Sequence, residues 1–246
     1  MTKILKTRLD ILMVERRLTS SREKARALIM EGKVIVDGVI IDKPGREILN
    51  TAELGLKESL KYVSRGGLKL SAAIDKFDID PTGLTVLDAG ASTGGFTDCL
   101  LQSGAKRIVA VDVGYGQFDW KLRNDPRVRL LERTNFRYLD ISALNESVDA
   151  AVADLSFISL RLVLFKFAEI LSKGNWFVPL VKPQFEVGRR DVGKHGVVRN
   201  PDAVTAALHT VKRAATDTGF MVVNEFESPI LGPKGNHEFL IHLVRV

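Results

Sequence analysis

Two spacings of apolar residues alternate along the chain. Leu9, Leu12 and Met13 recur at helical intervals with Arg8, Arg16 and Arg17 on other faces, which predicts a first helix. Thr19-Ser20-Ser21 supplies a helix cap, and Glu23 lies three residues after Ser20 as in a capping box. Ala25, Leu28 and Ile29 form the next stripe, with Arg22, Lys24 and Arg26 on its polar face, and Gly32 ends it. Val34-Ile35-Val36, Asp37-Gly38 and Val39-Ile40-Ile41 read as a hairpin, which Lys43-Pro44-Gly45 breaks. Residues 6–48 are thus expected to form one compact unit, with the mixed, charged stretch 49–63 as a connection. Gly66-Gly67 marks a turn, and a helix with Leu68, Ala72, Ile74 and Phe77 follows.

From Thr85 onward, continuous apolar runs alternate with helical segments, which predicts a parallel sheet with crossovers. The runs are Thr85–Ala89, Arg107–Val113, Val128–Leu131, Val148–Asp154 and Trp176–Lys182, although Pro179 sits awkwardly inside the last. Asn200-Pro201-Asp202 caps a helix that Gly219 ends. Met221–Val223 and Phe239–Val244 are joined by a loop too short for a crossover helix, so this pair is expected to be antiparallel. Gly188–Asn200 has no period and reads as a mobile loop near the sheet's C-terminal edge.

Composition narrows the class. The chain has 246 residues, 45% hydrophobic, enough for a large core and a small one. Net charge is +6, and residues 1–63 carry 13 Lys/Arg against 9 Asp/Glu, a local excess that favours a polyanionic partner. The single cysteine, Cys99, excludes an internal disulfide and a cysteine-based zinc site, and reads as a core residue. No signal-peptide core or transmembrane run is present, so a cytoplasmic protein without a membrane or metal partner is expected, and a monomer.

The sharpest local signal is Asp88-Ala89-Gly90-Ala91-Ser92-Thr93-Gly94-Gly95-Phe96-Thr97. A strand runs into a glycine turn and then a helix N-terminus, the layout of a nucleotide cradle. Asp88 and the order G-x-S-x-G-G depart from the dinucleotide fingerprint. A carboxylate there suits a cationic or amine-bearing ligand such as S-adenosylmethionine and repels a pyrophosphate. Asp112, ending the next strand, is placed to accept ribose hydroxyls, and Asn135 to meet an adenine edge. Expected cofactor contacts are Asp88, Gly90, Ser92, Thr93, Gly94, Gly95, Phe96, Asp112, Asn135 and Asp154.

Two resemblances extend this reading. Arg8-Leu9-Asp10, Ser21-Arg22-Glu23-Lys24-Ala25, Gly32-Lys33-Val34, Val36-Asp37-Gly38 and Lys43-Pro44-Gly45 resemble the S4 RNA-binding domain. That implies RNA contact through Arg8, Arg16, Arg17, Arg22, Lys24, Arg26 and Lys33, with Arg65 added from the segment that follows. Lys69, Asp154, Lys182 and Glu238, in the contexts Ser64-Arg65-Gly66-Gly67-Leu68-Lys69-Leu70, Asp154-Leu155-Ser156-Phe157, Val181-Lys182-Pro183-Gln184-Phe185-Glu186 and Gly235-Asn236-His237-Glu238, resemble the Lys-Asp-Lys-Glu tetrad of FtsJ-type 2′-O-ribose methyltransferases. Together the chain resembles the TlyA-type (hemolysin A) ribosomal RNA methyltransferases.

The resemblance implies an S4 domain at 1–59, a linker at 60–64 and, at 65–246, a seven-stranded Rossmann-like methyltransferase domain whose last strand is antiparallel. It implies S-adenosylmethionine as cofactor, ribosomal RNA or subunits as partner with a lean to the large subunit, and a cytidine as target. A ribose hydroxyl is a poor nucleophile until deprotonated, and a lysine removes that proton only while neutral. Burial beside a second cation favours the neutral amine, whereas nearby carboxylates oppose it and hold the groups in place. Lys182 is therefore expected to be the base and Asp154 its partner, with Lys69 and Glu238 orienting the site. Phe157 and Phe185 are candidates for stacking, and Arg189, Arg190, Lys194 and Arg199 for phosphate contact. His195 and His237 lack metal-ligand spacing. A catalytically silent RNA-binding assembly factor, a membrane-lytic protein and a dinucleotide oxidoreductase are the alternatives.

Overall fold

The computed structural model describes residues 5–57 and 61–246. The first residue of the expected linker, Leu60, lies outside the described residues. Contacts divide the chain into two compact units, Met1–Leu60 and Lys61–Val246.

In the first unit the described elements are β1 (Lys6–Arg8), α1 (Leu9–Glu15), α2 (Arg22–Met30), β2 (Val34–Val36), β3 (Val39–Ile40), β4 (Glu47–Leu49) and β5 (Leu54–Leu56). Leu9, Leu12 and Met13 of α1 and Ala25 and Ile29 of α2 meet Val34, Val36 and Ile48 in one core. Each fully buried side chain of this size contributes roughly 1.5–3 kcal/mol. The cap of α2 is Ser21, whose side chain accepts from Lys24 N. The expected capping box centred on Ser20 and Glu23 therefore gives way to a cap one residue later. Asp37 and Gly38 take positive φ and make the two-residue hairpin turn between β2 and β3. The stretch expected to be a bare connection holds β5, which pairs with β2, while β4, partly inside it, pairs with β1. Strands of three residues are too short for a period to show.

The second unit is a seven-stranded sheet. Its elements are α3 (Gly66–Phe77), β6 (Thr85–Ala89), α4 (Gly95–Gln102), β7 (Arg107–Val111), α5 (Trp120–Arg123), β8 (Val128–Leu131), β9 (Ala150–Ala153), α6 (Leu164–Ile170), β10 (Trp176–Val181), α7 (Pro183–Glu186), α8 (Pro201–Asp217), β11 (Phe220–Glu227) and β12 (Phe239–Arg245). The strand order is β11-β12-β10-β9-β6-β7-β8. β12 alone runs in the direction opposite to the other six strands.

Alternate residues of each strand enter different cores: Leu87, Val109 and Ala151 on one face, Val86, Ile108 and Val152 on the other. That is why the central strands read as unbroken apolar runs. Pro179 is accommodated in β10 because its missing donor falls on the β12 side. The β10–β12 ladder skips Val178 and Pro179, while Pro179 still pairs with Ala153 on β9. The residues Gly66 and Gly67 open α3 instead of forming a separate turn. A Cβ on Gly67 would lie 2.3 Å from the Tyr62 ring. Tyr62, within the expected linker, is itself buried in this unit, and Val63 N donates to Asp98.

Candidate active site

The chain winds β6, β7 and β8 outward in one direction, then returns to place β9 on the other side of β6. Open parallel sheets bind ligands at the C-terminal ends of the strands where the order reverses. Here that point lies between Gly90, after β6, and Asp154, after β9. Gly90 has φ +85°, and a Cβ there would come within 2.7 Å of the Asp154 carbonyl oxygen. The glycine is thus required by the chain's own approach as well as by the turn.

A cavity of about 660 Å³ opens at this edge. Gly90, Ser92, Asp112, Asn135, Asp154 and Phe157 are among its walls. Asp112 organises the turn by accepting Ser92 N at 2.7 Å and Gly114 N at 2.6 Å, and Gln117 Nε2 donates to it at 3.1 Å. Asn135 caps the following turn by accepting Arg137 N at 3.1 Å.

Of the other expected cofactor contacts, Thr93, Gly94, Gly95 and Phe96 are not in this wall. Phe96 is core, and Cβ atoms on Gly94 and Gly95 would collide with Leu122 and Ser64. Asp88 is fully buried beneath the turn, where Thr97 Oγ1 donates to its Oδ2 at 2.6 Å and its Oδ1 has no hydrogen-bond partner among the described residues. Burial pushes its carboxyl up to about 7, partly opposed by the Thr97 hydrogen bond and assisted by the charge of Asp154.

Lys69, Asp154, Lys182 and Glu238 form two ion pairs. Lys182 Nζ lies 2.6 Å from Asp154 Oδ1 and donates to Ser156 Oγ at 2.7 Å. Lys69 pairs with Oε2 of Glu238. Lys69 is 7%, Lys182 8% and Glu238 0% exposed, so three of these four charges are withdrawn from water. The register Val181↔Phe239 sets Lys182 beside Glu238 at the ends of β10 and β12. Both belong to a second cavity of about 250 Å³, which also contains Gln184. Glu238 Oε1 and Gln184 Oε1 are buried and have no hydrogen-bond partner among the described residues. Ser156 and Phe157 line both cavities. Phe157 has φ +64°, is 92% exposed and packs on Phe185 at 5.3 Å between centroids. An aromatic residue in that backbone region is strained, which marks the segment as specialised.

Comparison with known proteins fits this geometry. An S4 domain family model matches residues 7–51, and an FtsJ-like methyltransferase model matches residues 62–245. The 16S/23S rRNA (cytidine-2'-O)-methyltransferase TlyA of Mycobacterium tuberculosis is 47% identical over 240 residues, 97% of this chain and 90% of that protein. The chain belongs to the TlyA family of FtsJ-like methyltransferases.

A solved structure of a candidate hemolysin from Streptococcus thermophilus matches with TM-score 0.76 and 46% identity over 99% of this chain and 90% of that one. The N-methyltransferase NodS of Bradyrhizobium japonicum, solved with S-adenosyl-L-homocysteine, shares the fold alone at 14% identity and TM-score 0.52, over 74% of this chain and 85% of that one.

The volume of the larger cavity suits a nucleoside-sized ligand. Val113, Phe136 and Leu162 supply apolar wall, and the carboxylates of Asp112 and Asp154 suit ribose hydroxyls and cationic groups. Ser156 was not singled out in the sequence, and its hydrogen bond to Lys182 depends on a contact 26 residues away. Glu186 was likewise missed; it accepts Ser159 Oγ and Leu160 N and ties the segment after β9 to α7. Among the described residues there is no group of three metal-ligating side chains, and no helix is long and apolar enough to cross a membrane.

The cations assigned to RNA divide by partner. Arg8 and Arg22 both bind Asp10, Arg16 donates to the Ala52 and Asn50 carbonyls, and Lys33 pairs with Glu31. Arg17, Lys24, Arg26 and Arg65 are exposed. The side chain of His237 pairs with Glu227 on the surface.

Proposed function

We propose that this TlyA-family enzyme methylates the 2′-hydroxyl of a cytidine in ribosomal RNA, using S-adenosylmethionine, with Lys182 as general base. The observation that carries this reading is the Asp154–Lys182 pair, which joins the wall of the larger cavity to that of the smaller. When bound, S-adenosylmethionine supplies an electrophilic methyl group, and Gly90, Asp112, Asn135 and Asp154 are the residues that would hold it. Asp154 and Ser156 fix the position of the Lys182 nitrogen. Lys182, after giving up its own ammonium proton, would take the proton of the ribose hydroxyl as the oxygen–carbon bond forms and the methyl–sulfur bond breaks, with the electron pair left on sulfur. Glu238 holds Lys69, and both Glu238 and Gln184 line the cavity beside Lys182. The TlyA protein of M. tuberculosis bears the name of a cytidine 2′-O-methyltransferase of 16S and 23S rRNA, which supports this substrate. Exposed Arg17, Lys24 and Arg26 supply phosphate contacts from the S4 unit.

The test is transfer of tritiated methyl groups to isolated small and large ribosomal subunits. Label is expected in ribosomal RNA, at a cytidine ribose on mass mapping. Lys182→Ala is expected to cut transfer by roughly 10²–10⁴-fold while calorimetry shows S-adenosylmethionine binding retained. Full activity of that variant would remove Lys182 as base, and no label in either subunit would remove the substrate.

A further inference from the structure

The segment after α7 serves two cavities. Val192 and Gly196 line the one shared by Lys182 and Glu238. Arg190, Lys194 and Arg199, with the single acid Asp191, line another of about 600 Å³, and Asn200, the cap of α8, closes it. Residues adjacent in the chain face different cavities, and successive Cα atoms are only about 3.8 Å apart. One thickness of backbone therefore separates the basic cavity from the Lys182 cavity.

This backbone is held in place. Buried Asn236, two residues before Glu238, donates through Nδ2 to the Gly196 carbonyl at 2.9 Å and accepts Val198 N through Oδ1 at 3.0 Å. Gly193 N closes the loop on the Val197 carbonyl at 2.9 Å. The sequence reads as a mobile loop near the sheet's C-terminal edge, and Asn236 joins it to the edge that carries Glu238.

No ion pair or hydrogen bond engages the side chains of Arg190, Lys194 and Arg199 among the described residues. Three exposed cations and one carboxylate around a cavity attract anionic oxygens. Guanidinium forks match phosphate geometry, and the positive end of the 17-residue helix α8 adds to the field.

We propose that this cavity is a phosphodiester site, which takes the RNA backbone beside the nucleotide whose 2′-hydroxyl reaches Lys182. The inference rests on the proposed function for the identity of the RNA. The two are tested separately, because RNA binding is measured without methyl transfer.

The experiment uses the full chain and ribosomal RNA in filter binding across a salt series. The triple variant Arg190→Ala, Lys194→Ala, Arg199→Ala is expected to bind severalfold more weakly. Its slope of log affinity against log salt is expected to be shallower by about one. Calorimetric binding of S-adenosylmethionine serves as the folding control and should not change. Asp191→Asn removes the opposing charge and is expected to bind RNA more tightly, a gain that misfolding does not produce. Wild-type affinity and slope in the triple variant, or no gain in Asp191→Asn, would overturn the site. A triple variant that loses calorimetric binding of inorganic phosphate yet keeps wild-type RNA binding reassigns the cavity to a small anion and equally overturns the proposal. Absence of methyl transfer by the wild-type protein would sink the enzymatic reading alone.

Discussion

Asp10 and Asp88 are both fully buried carboxylates, and their surroundings drive them in opposite directions. Hydrogen bonds from Arg8, joined by Arg22, hold Asp10 down to about 2 despite its burial. Asp88 has no cation beside it among the described residues, and burial outweighs its hydrogen bonds from Thr97 and carries it up to about 7. The sign of the consequence follows from proton counting. Unfolded Asp88 loses its proton near 3.8, whereas the native group keeps it to about 7. Its contribution to stability is therefore complete below the lower value and lost as pH rises through the upper one. Asp88→Asn is expected to gain stability relative to the parent, by on the order of a few kcal/mol, between roughly pH 4 and pH 8. Urea midpoints of the two proteins across that range measure it; parallel profiles would mean that Asp88 stays ionised. The residue type and place at a strand end were legible in the sequence. Its depth was not, because it depends on α4 covering it through Thr97.

At the scale of elements, the strand–turn–helix from β6 to α4 was readable because its glycines and its period are local. Their reasons were not. Gly94 and Gly95 are required by Leu122 and Ser64, contacts that no window of sequence contains. Gly90→Ala tests the turn. Its positive φ alone costs about 1–3 kcal/mol for a residue with Cβ, and the approach of the Asp154 carbonyl adds a clash. Lower melting temperature and weaker S-adenosylmethionine binding by calorimetry are expected. Gly83→Ala, also at positive φ but with open space around it, is the control that should lose stability and keep binding. The three-residue strands β4 and β5 escaped notice for a different reason: a period needs more residues than they have.

For the whole molecule, the first unit has a core of its own and the second has one on each face of its sheet, so the two units can be asked to stand alone. The fragment 61–246 is expected to melt cooperatively and bind S-adenosylmethionine, with ribosomal RNA affinity well below that of the full chain. Calorimetry and filter binding read both; full RNA affinity in the fragment would leave the S4 unit without its assigned role. The sequence by itself determined the periods of helices and strands, the glycine turn and the identities of Lys69, Asp154, Lys182 and Glu238. The periods and the turn are set by residue type and short spacing, and the four residues by the resemblance of their local contexts to the FtsJ-type tetrad. The antiparallel last strand and the partnership of Asp154 with Lys182 are expected from the sequence and its resemblance; only the tertiary structure decided that β9 returns beside β6, that β12 lies between β10 and β11, and that Lys69 pairs with Glu238. Strand order and partner choice come from burying both faces of one sheet across more than a hundred residues, a balance that local pattern does not encode.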